Sequence, residues 1–184
     1  MALSKGDWQA VDKLPLKVTI ITTIKVMDVL HAENIPMPLE VDQWILSKKK
    51  AILKLAVMVM VFYNYRNRAN EIINLLHVNH KGLKTDVIIA IKDLYLYEAE
   101  DVILSLYPDE ILEIQYEMLE TLAVIGSKKT LDFLEIEIRK QELKDLKLKM
   151  VYCCNSLDPE RTDLFGSKDP DTQKMINHIR QIQI

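Results

Sequence analysis

The sequence predicts an all-α protein, and three observations support that fold class. Apolar residues recur at helical spacing, as in the stripe Ile114, Met118, Leu119, Leu122 and Ile125. The apolar pattern itself repeats about every thirty-one residues, a period typical of stacked helix pairs. The 184 residues also include only four Gly and six Pro, with 7% aromatic residues, which suits helices joined by short turns better than a many-stranded sheet.

The repeat can be followed through five units. Each unit is a pair of helices. The second helices of the pairs align at Val26, Val57, Ile88, Leu119 and Val151, and again at Val29, Met60, Ile91, Leu122 and Cys154. The first helices align at Val41, Ile72, Ile103, Leu134 and Phe165. A helix pair of this kind cannot bury its apolar stripe alone and stacks on its neighbours. We therefore predict a single domain over residues 1–184, folded as an α-α superhelix (a solenoid) of about five helix pairs.

The segment 121–126, Thr-Leu-Ala-Val-Ile-Gly, resembles the HEAT-like (armadillo-type) repeats, whose units end in a helix of the form A-L-G-x-I-G. The family's Val-Arg pair corresponds here to Ile114-Gln115, Leu83-Lys84 and Leu146-Lys147, so the apolar residue is kept and the arginine is not. Gly126 has no counterpart in the other units. The resemblance implies a helical-repeat scaffold, but its motifs are core-packing motifs and name no activity.

The individual helices are predicted from caps, prolines and apolar spacing. An apolar helix is expected from the cap Asp12 to about Ala32, and further helices over residues 39–47, 51–63, 66–78, 83–97, 98–107, 114–125 and 128–141. Another helix carries Cys153 and Cys154. Residues 159–184 are expected to be a polar turn followed by a capping helix that starts at Asp169-Pro170.

The apolar first helix would be half exposed at the end of a repeat array, where a polar outer face is normal. We hypothesise from it that the chain is the soluble part of a longer cytoplasmic protein, tethered to a membrane by a segment outside this chain. The first six residues do not read as a secretory signal, and the apolar run 55–63 is much shorter than the roughly 20 residues that a membrane span needs. No direct membrane insertion of this chain is expected.

Several groups of reactive or charged residues have both a functional and a structural interpretation. The triple lysine 48–50 could contact phosphate or anionic lipid, but a solvated helix junction is commoner. His77 and His80 could share a metal ion, but no third ligand is near in sequence. Cys153 and Cys154 could form a redox pair, but they align with core positions. The sequence therefore predicts no metal, cofactor or catalytic residue.

The chain is acidic between Lys92 and Lys128, where no Lys or Arg occurs. The acids in this run are Asp93, Glu98, Glu100, Asp101, Asp109, Glu110, Glu113, Glu117 and Glu120. They could perform acid–base catalysis, form an acidic ledge for a basic partner, or be a solvated face, and they lack a histidine or metal-ligand partner. The net charge of −3 and pI near 5.8 argue against nucleic acid as a partner.

These observations predict a non-catalytic scaffold that binds a protein or peptide on the curved face of the array, with a basic partner as one candidate. In HEAT-like arrays the second helices generally line the concave side, so the resemblance implies a binding face there, made of Ile89, Lys92, Tyr116, Glu117, Glu120 and Tyr152. Tyrosines are frequent interface anchors because each joins a large apolar body to a polar tip. The alternative is an enzyme or enzyme accessory on a HEAT-like fold, either lyase-like or binding a small molecule. Two enzyme classes of that superfamily fit poorly. The metal hydroxylases carry repeated His-Glu dipeptides, and no histidine here is followed by Glu; the alkylpurine glycosylases present a basic, aromatic-lined groove, which an acidic chain with no tryptophan after Trp44 resembles poorly.

Overall fold

The computed structural model describes residues 36–37 and 39–182, and every regular element in these residues is helical. The ten α-helices are α1 (Val41–Trp44), α2 (Lys50–Phe62), α3 (Ala69–Asn74), α4 (Lys81–Asp93), α5 (Glu100–Leu106), α6 (Leu112–Ile125), α7 (Lys128–Lys140), α8 (Lys144–Leu157), α9 (Pro159–Gly166) and α10 (Pro170–Ile182). Short 3-10 turns cover Leu75–His77, Tyr97–Ala99 and Tyr107–Asp109. The predicted all-α class is confirmed for this part of the chain.

The helices group into two compact units whose boundary falls between Leu94 and Tyr95. In the first unit, α2 packs against α1 and α4, and α3 also packs against α4. In the second unit, α8 is central because it contacts α6, α7, α9 and α10. Helix α5 contacts α6 and α7 in the same unit.

The repeat correctly predicts which positions are buried. Val57, Ile88, Leu119 and Val151 are at most 1% exposed. The aligned positions of the first helices are buried as well: Val41, Ile72, Ile103, Leu134 and Phe165. Within each unit, the helices that carry two such residues pack together, α2 on α4 and α6 on α8. The periodic stripe therefore forms the core of each unit.

The start of α7 is fixed by a side chain from another helix. Glu100 on α5 is buried, and its carboxylate accepts hydrogen bonds from the backbone N–H of Ser127 (2.7 Å) and the hydroxyl of Thr130 (2.7 Å). The hydroxyl of Ser127 in turn accepts from the N–H of Lys129 at 3.2 Å. These contacts satisfy N–H groups that a helix start leaves unpaired. One acid of the acidic run is thus a structural cap.

Helix α4 begins and ends earlier than the predicted 83–97. It begins at Lys81 because the Nδ1 atom of His80 accepts a hydrogen bond from the N–H of Leu83 at 3.1 Å, which caps the helix. It ends at Asp93, and Tyr95 follows in the left-handed region with a φ of 53°. A tyrosine in that conformation cannot continue an α-helix.

The polar turn expected after Asp158 is in fact helix α9. The side chain of Asp158 accepts from the N–H of Arg161 at 2.9 Å, and Pro159 occupies the first turn. Thr162 and Phe165 are buried, so this polar segment still has an apolar side. The expected capping helix is present as α10, which packs against α8 and α9.

One predicted helix falls on the chain before residue 36. The helix from Asp12 to about Ala32, with Val26 and Val29, lies outside the described residues. Within the described residues, none of the helices has the length and apolar character needed to cross a membrane.

Candidate binding site

The six residues predicted to form a binding face are divided between the two units. Ile89 and Lys92 lie on α4 of the first unit, where both are partly exposed. The other four residues belong to the second unit: Tyr116, Glu117, Glu120 and Tyr152. We describe the second unit's four residues as a candidate site of their own, since the structure brings two of them to one pocket.

Tyr116 and Tyr152 line an apolar pocket of about 320 Å³ formed by α6, α8 and α10. The full lining is Tyr116, Asp145, Leu148, Lys149, Tyr152, His178, Ile179 and Ile182. The four residues from α8 fall at i, i+3, i+4 and i+7, which is a single stripe of that helix. Tyr152 is 37% exposed and Ile182 is 71% exposed, so the pocket opens to solvent.

Lys149 borders the pocket and is held on two sides. Its Nζ atom lies 2.6 Å from Oε1 of Glu120 on α6 and 5.4 Å from the ring centroid of Tyr152. The side chain of Lys149 is 23% exposed, so the pair with Glu120 is partly shielded from water. A cation above an aromatic face is attracted by the ring's negative charge density. Lys149 therefore orients Tyr152 and links α8 to α6.

The wall formed by α10 is attached to α8 and α9 by polar contacts. Nη1 of Arg180 lies 3.0 Å from Asp163, and its Nη2 donates to the side-chain oxygen of Asn155 at 3.2 Å. At the other end of the helix, Lys147 lies 3.3 Å from Asp169. The hydroxyl of Thr172 also donates to Asp169, which lowers the pKa of that carboxyl against the effect of burial. Both ends of α10 are thus fixed to the rest of the unit.

Sequence reasoning missed half of this pocket. The stripe on α8 was visible in the spacing of Asp145, Leu148, Lys149 and Tyr152, a signal that could have been used. The contribution of α10 has no such signal, because the apolar residues of that helix predict that it docks but not against which surface. Glu117 does not line the pocket; it follows Tyr116 on α6 and is partly exposed.

Glu100, Asp101 and Glu120 of the acidic run have partners in the second unit. Burial acts to raise the pKa of Glu100, but the hydrogen bonds from Thr130 and Ser127 outweigh it, so that the pKa lies below its ordinary value. Asp101 pairs with Lys129 at 2.9 Å, and Glu120 pairs with Lys149. The expected acidic ledge is therefore smaller than the sequence suggests, because lysines from the next repeat neutralise part of it.

A second cavity, of about 460 Å³, lies at the start of α7 and is lined by Gly126, Ser127, Lys128, Leu131, Leu157, Asp158 and Arg161. Its strongest donors have partners already. Arg161 lies 2.9 Å from Glu135 and 2.5 Å from Asp132, and these hydrogen bonds raise the pKa of its guanidinium. Glu100 accepts the first N–H groups of α7. This cavity is a weaker candidate than the tyrosine-lined pocket.

The histidines and cysteines have structural surroundings. His80 caps α4, while His77 is exposed. Among the described residues, no three His, Cys, Asp or Glu side chains are grouped so that they could hold a metal ion. Cys153 and Cys154 are free and buried, and burial raises the pKa of both thiols, that of Cys154 to about 12. A thiol with a raised pKa is a poor nucleophile at neutral pH.

Fold and site together define an all-helical protein with a small apolar pocket bordered by tyrosines and charged groups. Comparison with protein-family models, with curated proteins and with solved structures gives no significant match.

Proposed function

We propose that the chain is a HEAT-like helical-repeat scaffold that binds a protein or peptide partner at the pocket between α6, α8 and α10. The observation that carries this proposal is that Tyr116 and Tyr152 line one solvent-open apolar pocket. Partly exposed tyrosines around an apolar depression are typical of interface anchors, because they bring contact area at little cost in side-chain entropy.

The repeat architecture is supported by polar contacts as well as by the buried stripe. Four ion pairs join residues about one repeat apart: Lys54–Asp86, Asp101–Lys129, Glu120–Lys149 and Asp132–Arg161. Such pairs are expected when each helix pair stacks on the next helix pair with the same geometry. On this basis we propose that the helices of each unit stack in the manner of a solenoid.

We propose a non-catalytic role because the side chains that could take part in catalysis have structural roles instead. Glu100 caps α7, and the two cysteines are core residues with raised thiol pKa values. Free, buried cysteines also fit the reducing compartment that we propose as the protein's location. The net charge of −3 makes nucleic acid an unfavourable partner.

The second candidate function is binding of a small molecule in the same pocket. The volume of about 320 Å³ is at the lower end of the roughly 300–1,000 Å³ that ligand sites span. A small ligand would have to be enclosed, whereas the 71% exposure of Ile182 leaves this pocket open. We therefore place protein or peptide binding first.

The test is capture of a partner by affinity-tagged protein from the cells in which it is naturally expressed. We expect that the double variant Tyr116→Ala/Tyr152→Ala loses a partner that the wild-type protein retains. The matched control is Tyr97→Ala, which removes a tyrosine that is 59% exposed elsewhere in the second unit. Retention of the same partner by the double variant would show that the pocket is not the site.

The stability of the double variant decides whether its result can be interpreted. Because both tyrosines are partly exposed, we expect its thermal midpoint to fall by no more than about 5 °C. A much larger loss would show that the tyrosines are core residues and that the face is misassigned. A small molecule that shifts the midpoint of the wild-type protein, but not of the double variant, would favour the second candidate.

A further inference from the structure

We propose that the first unit docks on an anionic lipid surface through one end that carries five lysines, with Leu46 entering the headgroup layer beside them. This basic end consists of Lys48, Lys49, Lys50, Lys81 and Lys84. The inference goes beyond the proposed function, because it concerns the other unit of the chain and a different kind of partner. Three observations support it: the position of the lysines, the small number of acids near them and the exposed leucine.

The five lysines come from the starts of two helices that lie side by side. Lys50 is the first residue of α2, Lys81 is the first residue of α4, and the two helices pack together. The Nζ atom of Lys54 lies 2.7 Å from the carboxylate of Asp86, and a Cβ atom at Gly82 would lie 3.8 Å from the same Nζ. Because a helix rises about 1.5 Å per residue, Lys50 and Lys81 each lie within about 8 Å of this contact along their helices. The lysines of both helix starts therefore lie at one end of the first unit.

Few acids lie near the basic end in the sequence. Residues 43–86 contain eight Lys or Arg and only two acids. Glu71 pairs with Arg68 at 2.9 Å, and Asp86 pairs with Lys54 at 2.7 Å, so each acid is neutralised by a cation outside the basic end. Neither of these two acids therefore offsets the charge of the five lysines.

The first unit also carries the excess positive charge of the chain. Residues 36–94 contain nine Lys or Arg against five Asp or Glu, whereas residues 95–182 contain 11 against 18. Within the basic end, Lys84 is partly exposed and the other four lysines are exposed. At physiological ionic strength an exposed charge acts over only about 8 Å, so these lysines determine the field at this end rather than the net charge of the whole chain.

An exposed leucine lies next to the basic end. Leu46 is 65% exposed in the turn between α1 and α2, two residues before Lys48. The hydroxyl of Ser47 accepts a hydrogen bond from the backbone N–H of Lys49 at 3.1 Å, which stabilises this turn. Leucine next to lysine is the combination with which interfacial helices bind the boundary between headgroups and acyl chains. Leu46 therefore adds an apolar contact to the electrostatic attraction.

The residue types at the basic end favour a lipid surface over an acidic protein. Protein interfaces are enriched in Arg and depleted in Lys, whereas all five cations here are lysines. The ammonium group of lysine is a point charge on a flexible stem, and it needs no fixed geometry in its partner. The mobile headgroups of a bilayer supply diffuse negative charge of that kind, and clusters of about four to eight cations bind anionic phospholipids.

The test is co-sedimentation of the full chain with vesicles made of equal parts of phosphatidylcholine and phosphatidylserine. Vesicles of phosphatidylcholine alone are the control. We expect binding to the anionic vesicles only, and weaker binding in added salt because the exposed charges are screened. Binding to both kinds of vesicle alike, or to neither, would overturn the inference.

Two matched pairs of variants test the basic end itself. Lys48→Gln/Lys50→Gln should weaken binding to the anionic vesicles by about tenfold or more, because each lysine near the surface contributes to the attraction. The control Lys144→Gln/Lys168→Gln makes the same change in net charge at exposed positions of the second unit and should change binding by less than about twofold.

Leu46→Ala should weaken binding by about threefold, since it removes an apolar side chain from the headgroup layer. Its control is Leu164→Ala, which removes a leucine that is 69% exposed in the second unit. All of these positions apart from the surface itself lack a role in the core, so the thermal midpoint should stay within about 3 °C of the wild-type value. Equal losses of binding within either matched pair would show non-specific attraction and overturn the inference.

Further arms identify a different anionic partner and separate this inference from the proposed function. Binding of fluorescein-labelled poly-glutamate or of a labelled DNA duplex, without binding to anionic vesicles, would identify an acidic protein or a nucleic acid as the partner and overturn the inference. The pocket variant Tyr116→Ala/Tyr152→Ala should bind anionic vesicles as the wild-type protein does. Loss of vesicle binding in that variant would show that the lipid contact involves the pocket, and it would overturn the assignment to the basic end.

Discussion

The carboxylate of Glu100 on α5 lies 2.7 Å from the hydroxyl of Thr130 on α7, and the two side chains join helices of neighbouring repeats. The same carboxylate accepts from the backbone N–H of Ser127, so one buried acid closes the start of α7. The contact joins α5 to α7 within the second unit through a buried polar group.

Glu100→Gln should lower the free energy of unfolding by about 1–3 kcal/mol at pH 7, because a charged acceptor of several hydrogen bonds is replaced by a neutral amide. The folded-state pKa of Glu100 lies below its unfolded value near 4.5. Its stabilising effect is therefore fully present above that value and is lost as the pH falls through the folded-state pKa. Urea unfolding between pH 7 and pH 3 should show the difference between variant and wild type shrinking on acidification. A difference that stays constant or grows would contradict this account, and exposed Glu98→Gln is the control.

Gly126→Ala should destabilise the protein, whereas Gly82→Ala should stabilise it. A Cβ atom at Gly126 would collide with the carbonyl oxygen of Leu122 and lie only 2.8 Å from the hydroxyl oxygen of Thr130. At Gly82, inside α4, the nearest atom would be Cε1 of His80 at an ordinary 3.7 Å. Alanine at position 82 should then raise the free energy of unfolding by about 0.5–1 kcal/mol, because it has less backbone freedom to lose on folding than glycine has. Thermal unfolding of both variants checks the prediction, and a shift in the same direction for both would refute it.

Tyr107→Phe should leave the free energy of unfolding unchanged or raise it by about 1 kcal/mol. The hydroxyl of Tyr107 is buried and has no hydrogen-bond partner among the described residues, and burial raises the pKa of the phenol. The ring should keep its edge contact with Phe133, whose centroid lies 5.7 Å away. The control is Tyr65→Phe, which removes a hydroxyl that donates to Asp42 at 3.1 Å and should cost about 1 kcal/mol. A clear fall in the free energy of unfolding of Tyr107→Phe would contradict this prediction and show that the hydroxyl donates a hydrogen bond.

Cys153 and Cys154 should not react with Ellman's reagent in the folded protein at pH 8. Both side chains are at most 3% exposed, so the reagent cannot reach the sulfur atoms. Burial also raises the pKa of both thiols, so little of the reactive thiolate is present. Two equivalents should react once urea unfolds the chain. Ser156→Cys adds a thiol at an exposed position of the same helix and should react at once. Rapid labelling of both native cysteines without urea would restore the redox interpretation.

The helices and their buried faces were largely predictable because both follow from local spacing. The period placed Val57, Ile88, Leu119 and Val151 in the core before any contact was known. The segment after Asp158 was harder to assign, since a capping Asp followed by Pro is typical both of a turn and of a helix start. Its helix is stabilised by the burial of Phe165, which depends on tertiary packing.

The pocket was only half predictable for a similar reason. The sequence places Tyr116 and Tyr152 at outward positions of two second helices of the repeat, and both line the pocket. It does not indicate that Lys149 selects Glu120, or that α10 supplies Ile182 as a wall. Contacts between residues so far apart in sequence depend on how whole helices pack. Composition and the repeat period do not predict that packing.

The central claim, that a partner occupies the pocket between α6, α8 and α10, is tested most directly by photo-crosslinking in the native cells. A benzophenone amino acid at position 152 should give a discrete crosslinked product, identified by mass spectrometry, that disappears when Tyr116→Ala is added. The same amino acid at position 136, an exposed apolar site on α7 outside the pocket, should give none. Equal products from positions 136 and 152, or none from position 152 in a folded protein, would contradict the claim.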